Sequence, residues 1–126
     1  MTSTIRVDNF GPSAGGTTYS ARGIAKAWVN FNGTGTIAVR DSENVSSLTD
    51  NGTGDYTVNI GNDMANGNYL VLAGGNTNVT TGGANFFNSP AYQAQSGASI
   101  RLATFNQASS NTDMEFVMLA THGDLA

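Results

Sequence analysis

Short alternating runs of apolar and polar residues recur along most of this chain. In "GIAKAWVNFNG", Ala25, Ala27, Val29 and Phe31 fall on one face, and Lys26, Trp28 and Asn30 on the other. A period of two predicts a strand with one buried face. An amphipathic helix competes over Tyr19–Ala27, but Gly23 and the β-branched, aromatic run after it favour the strand. "TIRVD" at Thr4–Asp8 has the same period on a smaller scale: Ile5 and Val7 share a face opposite Arg6. "DYTVNI" sets Tyr56, Val58 and Ile60 against Thr57 and Asn59. The run Tyr69–Ala73 in "NGNYLVLAGG" is almost continuously apolar, which predicts a strand covered on both faces. "ASIRLATFN" and "DMEFVMLATHG", joined by the polar "QASSNT", are the last two predicted strands.

Turn chemistry separates these runs. "NGTG" occurs twice, at Asn32–Gly35 and Asn51–Gly54, and is the one internal echo in the sequence. Asn-Gly provides the positive φ angles of tight hairpin turns at little steric cost. Asn32, Gly33, Asn51 and Gly52 are therefore the expected structural turn positions. The first doublet predicts a hairpin with "TIAVR", the second a hairpin with "DYTVNI". "NFGPSAGGTT" reads as a loop or arm. The Gly- and Asn-rich stretch between Gly74 and Gly97 carries Phe86, Phe87 and Tyr92 and reads as a protruding loop with one short strand.

About eight short strands with turn signals between them predict an all-β fold: a single antiparallel β-sandwich or jelly-roll-like barrel. The expected organisation is an N-terminal attachment arm over residues 1–17 and a β-sandwich domain over 18–126. A length of 126 residues suits one domain with a real core. Charged residues make up 11%, well under the usual share of about a quarter, so Gly, Asn, Thr and Ser supply most of the polarity. The five Lys and Arg among a net charge of −4 leave no basic footprint for nucleic acid. No apolar run is long enough for a membrane-spanning helix. With no cysteine there is neither a disulfide framework nor a thiolate metal site. "MTSTIRVDNF" lacks the basic start and apolar core of a signal peptide, so synthesis in a cytoplasm is expected. A Cys-free, Asn/Thr/Gly-rich surface also suits work outside a cell. A virion component meets both conditions.

Candidate chemistry is sparse. The one histidine, His122, has no evident orienting partner for general-base work. The acidic residues read as strand-end and turn carboxylates rather than a glycosidase pair. "DNGTGD" at Asp50–Asp55 lacks the alternating ligands of a calcium loop, and no phosphate-loop pattern occurs. Sequons at Asn32, Asn44, Asn51 and Asn78 carry little meaning without a secretory signal. No catalytic residue, metal ligand or cofactor is expected, and the chain does not read as an enzyme. Trp28 faces away from the predicted core. That fits a second buried layer, a subunit interface or a sugar-stacking surface.

"AKAWVNFNGTGTIAVRDSENVSSLTDNGTGDYTVNI" resembles a segment of structural proteins of tailed bacteriophages, of the tail-fibre and virion structural kind, and "TIRVDN" resembles their short N-terminal motif. The likeness covers about residues 4–8 and 22–73. It implies a β-rich, usually trimeric surface component. Shaft repeats and a large tail-anchoring domain, which long fibre proteins carry, are not seen here. The expectation is a small capsid-decoration or head-fibre protein, made in the host bacterial cytoplasm and displayed on the virion surface. It would bind other virion proteins of capsid or tail through Thr4, Ile5, Arg6, Val7 and Asp8, by edge-strand addition. It would form a homotrimer with Trp28, Phe86 and Phe87 at the subunit interface. The competing expectation is a receptor-binding knob of a tail fibre, with the Gly74–Gly97 loops touching host surface glycans. A glycan-cleaving enzyme is the third reading.

Overall fold

The computed structural model describes residues 3–4, 6–10, 14–17, 19–20, 23–76, 84–85, 94–106 and 108–126. Among them there is no α-helix. The strands are β1 (Asn9–Phe10), β2 (Tyr19–Ser20), β3 (Ala27–Asn32), β4 (Ala38–Glu43), β5 (Val45–Gly52) and β6 (Asp55–Ile60). β7 (Leu70–Asn76), β8 (Ala84–Asn85), β9 (Ala94–Gln95), β10 (Ser99–Ala103) and β11 (Phe116–His122) complete the set. They form a five-stranded sheet in the order β4-β3-β11-β7-β8 and a four-stranded sheet in the order β5-β6-β10-β9. Every pairing is antiparallel. The two sheets are open and face each other, so the fold is a β-sandwich rather than a closed barrel.

The alternation read from sequence decides the packing. Ala27, Val29 and Phe31 of β3 and Val117 and Leu119 of β11 point inward from one sheet. Tyr56, Val58 and Ile60 of β6 and Ile100 and Leu102 of β10 meet them from the other. Phe31 and Tyr56 join the layers edge to face, with ring centroids 5.2 Å apart at 76°. Met64, Tyr69 and Met114 extend the core. Between β4 and β5 the chain changes sheets at one residue, Asn44, with φ 54°. Asparagine tolerates that left-handed conformation. Its side chain secures the corner, donating from Nδ2 to Lys26 O (2.9 Å) and Asn62 O (3.0 Å) and accepting from Asn62 N. β4 and β5 are edge strands, and each carries register shifts against its partner. Such bulges discourage open-ended strand addition.

Four expectations need correction. Thr4, Arg6, Val7 and Asp8 lie in no strand, and Ile5 falls outside the described residues. The first strand is instead Asn9–Phe10, paired with Tyr19–Ser20 in a small sheet of its own. This pairing spans the boundary expected at residue 17. Second, β7 is not covered on both faces: Leu70 and Leu72 are 55% and 54% exposed. Third, β10 and β11 are not neighbours, since their connection crosses from one sheet to the other. Finally, the positive φ angles do not sit on the Asn-Gly pairs as a set. They fall at Gly35 (62°), Gly52 (126°) and Gly54 (62°), and Gly33 is not among them. The reason is local: Asn32 and Asn51 are still strand residues, so each chain reverses further on.

Candidate functional site

The two NGTG turns are built into one buried clasp. Gly33 N donates to Met114 O (2.8 Å), and Gly54 N donates to the Asp113 carboxylate (2.7 Å). The Tyr56 hydroxyl lies 2.8 Å from Gly33 O and 3.0 Å from Asp113 Oδ1, so it ties both turns to the segment that precedes β11. Thr104 N donates to Gly54 O, and Thr112 N donates to Thr104 O. Gly54 is buried, with the backbone of Thr104 and Thr112 around it. Burial raises the Tyr56 pKa, and the neighbouring Asp113 carboxylate adds to the shift. The hydroxyl is a structural donor, held protonated.

The outer face of the four-stranded sheet is polar and internally satisfied. Asn59 Nδ2 bridges Ser47 Oγ (3.0 Å) and Thr49 Oγ1 (3.3 Å), while Asn51 Nδ2 reaches Thr57 Oγ1 (2.9 Å) and Asp55 Oδ1 (3.3 Å). Arg101 grips Asp55 through both carboxylate oxygens, at 2.9 and 2.6 Å. The Arg101 hydrogen bonds hold the Asp55 carboxyl below its ordinary range, against the upward push of burial. Asp50 and Asp55 therefore serve the hairpin: Asp50 Oδ1 accepts from Gly52 N (2.9 Å), and Asp55 is paired to Arg101. Among the described residues no three His, Asp or Glu side chains gather where they could hold a metal ion.

The outer face of the five-stranded sheet is different. A shallow open groove of about 480 Å³ lies across β3, β11 and β7, lined by Trp28, Asn30, Leu72, Gly74, Met118 and Ala120. The register explains it. Ala120 sits between Trp28 and Leu72, and Met118 sits between Asn30 and Gly74. Small residues at Ala120 and Gly74 leave a trough between large apolar ones. Leu72 and Met118 are 54% and 44% exposed, with Leu70 beside them at the end of β7. Asn30 Oδ1 is buried with no hydrogen-bond partner among the described residues. Along the β4 flank stand Asp41, paired with Asn30, and Glu43, paired with Trp28. Arg40 on the same strand donates to Glu115 O (2.5 Å) and stacks 4.2 Å from the Phe116 ring centre.

Of the expected interface residues, Trp28 lies in this groove; Phe86 and Phe87 fall outside the described residues. The expected attachment residues Thr4, Arg6, Val7 and Asp8 are exposed and apart from both large sheets, with Ile5 outside the description. The expected turn residues are engaged: Asn32 Oδ1 accepts from Thr34 N and Oγ1, and Asn51 bridges within its own sheet. His122 Nδ1 is 2.9 Å from Gly23 O, a contact that pins the chain ahead of β3. Sequence reasoning singled out the run Tyr69–Ala73, which holds Leu72, as apolar in excess of one sandwich, but missed Met118 and Asn30 on the groove, and Gly54, Tyr56 and Asp113 in the clasp. The even-numbered positions of β3 and β11 held the signal for the groove. The clasp had no local signal, because its members meet only through the crossing of sheets. Comparisons with protein-family models, with curated proteins and with solved structures find no match to this chain.

Proposed function

We propose that this chain is a non-enzymatic structural subunit of a tailed-phage particle, of capsid-decoration or head-fibre type. It self-associates through the outer face of the five-stranded sheet, as a homotrimer. The likeness of residues 22–73 to phage structural proteins gives the setting. The apolar groove carries the self-association. Leu70, Leu72 and Met118 together make an apolar patch of the kind that marks protein contacts. The groove is open and shallow, a shape for another sheet-sized surface rather than for an enclosed small ligand. Asn30 Oδ1 lacks a donor that a neighbouring subunit would bring. A closed ring of identical subunits covers one such face per copy without leaving an open end.

Sedimentation equilibrium tests the association. The parent protein should sediment as a trimer at micromolar concentration, and Leu72→Asp as a monomer with an unchanged melting temperature. Leu72 is already exposed within one subunit, so the charge affects only the interface, where an unpaired carboxylate costs several kcal/mol. A parent that is monomeric both in solution and on the particle contradicts the proposal.

Attachment is assigned to the segment ahead of the sandwich. Among the described residues β1 and β2 pair only with each other, and Arg6, Val7 and Asp8 are exposed. Deleting Met1–Gly16 should leave a folded domain with a nearly unchanged melting temperature and abolish its incorporation into particles. For a decoration protein such particles stay infectious. If they instead lose adsorption to host cells, the receptor-binding reading takes its place. A truncated chain that fails to fold would make this segment part of the sandwich.

A further inference from the structure

The chain contains three Asn-Gly pairs, Asn32-Gly33, Asn51-Gly52 and Asn66-Gly67, and the fold gives them three different environments. The chemistry at stake is attack by the glycine amide nitrogen on the asparagine side-chain carbonyl carbon. It needs a free amide nitrogen, a side chain able to swing, and stabilisation of the charge that develops on Oδ1.

Gly33 is buried, and its N–H is committed to Met114 O at 2.8 Å. Gly52 N–H is committed to Asp50 Oδ1 at 2.9 Å, and the Asn51 amide is tied to Thr57 and Asp55. Asn66, Gly67 and Asn68 are all exposed, on the crossing between β6 and β7. Gly67 N has no acceptor among the described residues. Asn68 N–H donates to Asn66 Oδ1 at 2.8 Å. That bond sits where negative charge appears during attack, as a single oxyanion-type donor. Asn32 has a similar donor in Thr34 N at 3.1 Å, yet its glycine nitrogen is occupied. The Asn66 site alone of the three combines the donor with the free nucleophile.

We infer that Asn66-Gly67 is a site of spontaneous, irreversible self-modification in the folded protein. Hydroxide takes the Gly67 N–H proton, and the nitrogen bonds to Asn66 Cγ. The Cγ–Nδ2 bond breaks, and Nδ2 leaves as ammonia after accepting a proton from water, giving a succinimide. Water then opens the ring at either carbonyl, leaving aspartate or isoaspartate. The net change is asparagine plus water to a carboxylate plus ammonium, the released ammonia taking up the proton of the new acid. Each event adds one negative charge. The isoaspartate form also lengthens the backbone next to Gly67, whose carbonyl accepts from Gln95 Nε2 at 2.9 Å while the same Nε2 donates to Tyr69 O at 2.8 Å. The change therefore reaches the tie between the β6–β7 crossing and β9.

The test is peptide mapping of the full chain aged at mildly alkaline pH, reading the one-unit mass gain and isoaspartate at each pair, in native buffer and in urea. In native buffer Asn66 should convert about tenfold or more faster than Asn32 and Asn51, while in urea the three rates should converge. Asn68→Pro, which removes the N–H donor, should slow Asn66 conversion in native buffer by about tenfold. Equal native rates at the three pairs, or Asn32 or Asn51 converting first, would overturn the assignment. An Asn68→Pro rate equal to that of the parent would overturn the role given to the donor.

Discussion

Gly54→Ala should remove a large share of the stability of this domain. Two effects add at one position. With φ at 62°, any Cβ carries the left-handed penalty of about 1–2 kcal/mol. The new methyl would also lie 2.6 Å from Thr104 O, 2.6 Å from Thr112 N and 2.9 Å from Thr112 O. These are backbone atoms and cannot rotate aside. Moving them breaks the bonds from Thr104 N to Gly54 O and from Thr112 N to Thr104 O, and pulls Asp113 from Gly54 N. Overpacking of this kind costs about 1–3 kcal/mol beyond the strain, against a typical total stability of about 5–15 kcal/mol. Gly52→Ala is the internal control. Its φ of 126° is equally unsuited to a side chain, but nothing lies within 4 Å of the added atom. It should lose only the strain, about 1–2 kcal/mol. Urea melts of the two variants separate the effects. Similar midpoints would show that the segment across Gly54 yields easily and that the clasp is not a rigid feature.

That contrast marks how far the sequence can be read. Strands β3 and β6 were legible because each buries one face only, so alternation in "AWVNFN" and "DYTVNI" translates directly into inward and outward side chains. The doublet of NGTG turns was legible as a pair of reversals. Which glycine bears the reversal was not, because that depends on where each strand stops pairing, and bulges moved the stopping point. β7 misled for a physical reason. A continuous apolar run fits a strand buried on both faces, and it equally fits one whose second apolar face is exposed; Leu70 and Leu72 belong to the latter pattern. The short first strand was displaced: Thr4, Arg6, Val7 and Asp8 have no strand partner among the described residues, whereas Asn9–Phe10 pairs with Tyr19–Ser20. The groove becomes visible only when three strands distant in sequence are laid side by side, and Tyr56, Asp113 and Gly33 meet only once the sheets are stacked.

Tyr56 joins the core to the clasp, and truncating it should have the second large effect. Its side chain is fully buried and packs edge-on against Phe31. Tyr56→Ala should cost about 3–5 kcal/mol, as large aromatic-to-alanine changes in cores do. Tyr56→Phe keeps the ring and removes only the hydroxyl, leaving Gly33 O and Asp113 Oδ1 without that donor, for about 1–2 kcal/mol. The pH dependence separates the hydroxyl from the ring. The unfolded chain releases a tyrosine proton near pH 10.0, while burial and then Asp113 raise the folded value for Tyr56 well above that. Tyr69, buried with its hydroxyl donating to Ser96 O, is pushed up to about 12. A raised folded pKa means that the stability contribution is fully present below pH 10.0 and declines as pH rises past it, because the unfolded state loses the proton first. The parent should therefore weaken steadily above pH 10.0. Tyr56→Phe should be the less stable protein at neutral pH and fall more gently, retaining only the Tyr69 part of the decline. Denaturant midpoints of both proteins, taken from neutral to strongly alkaline pH, should converge. Parallel curves would mean that Tyr56 titrates as freely as an exposed phenol and that its hydroxyl does not bind the two turns together.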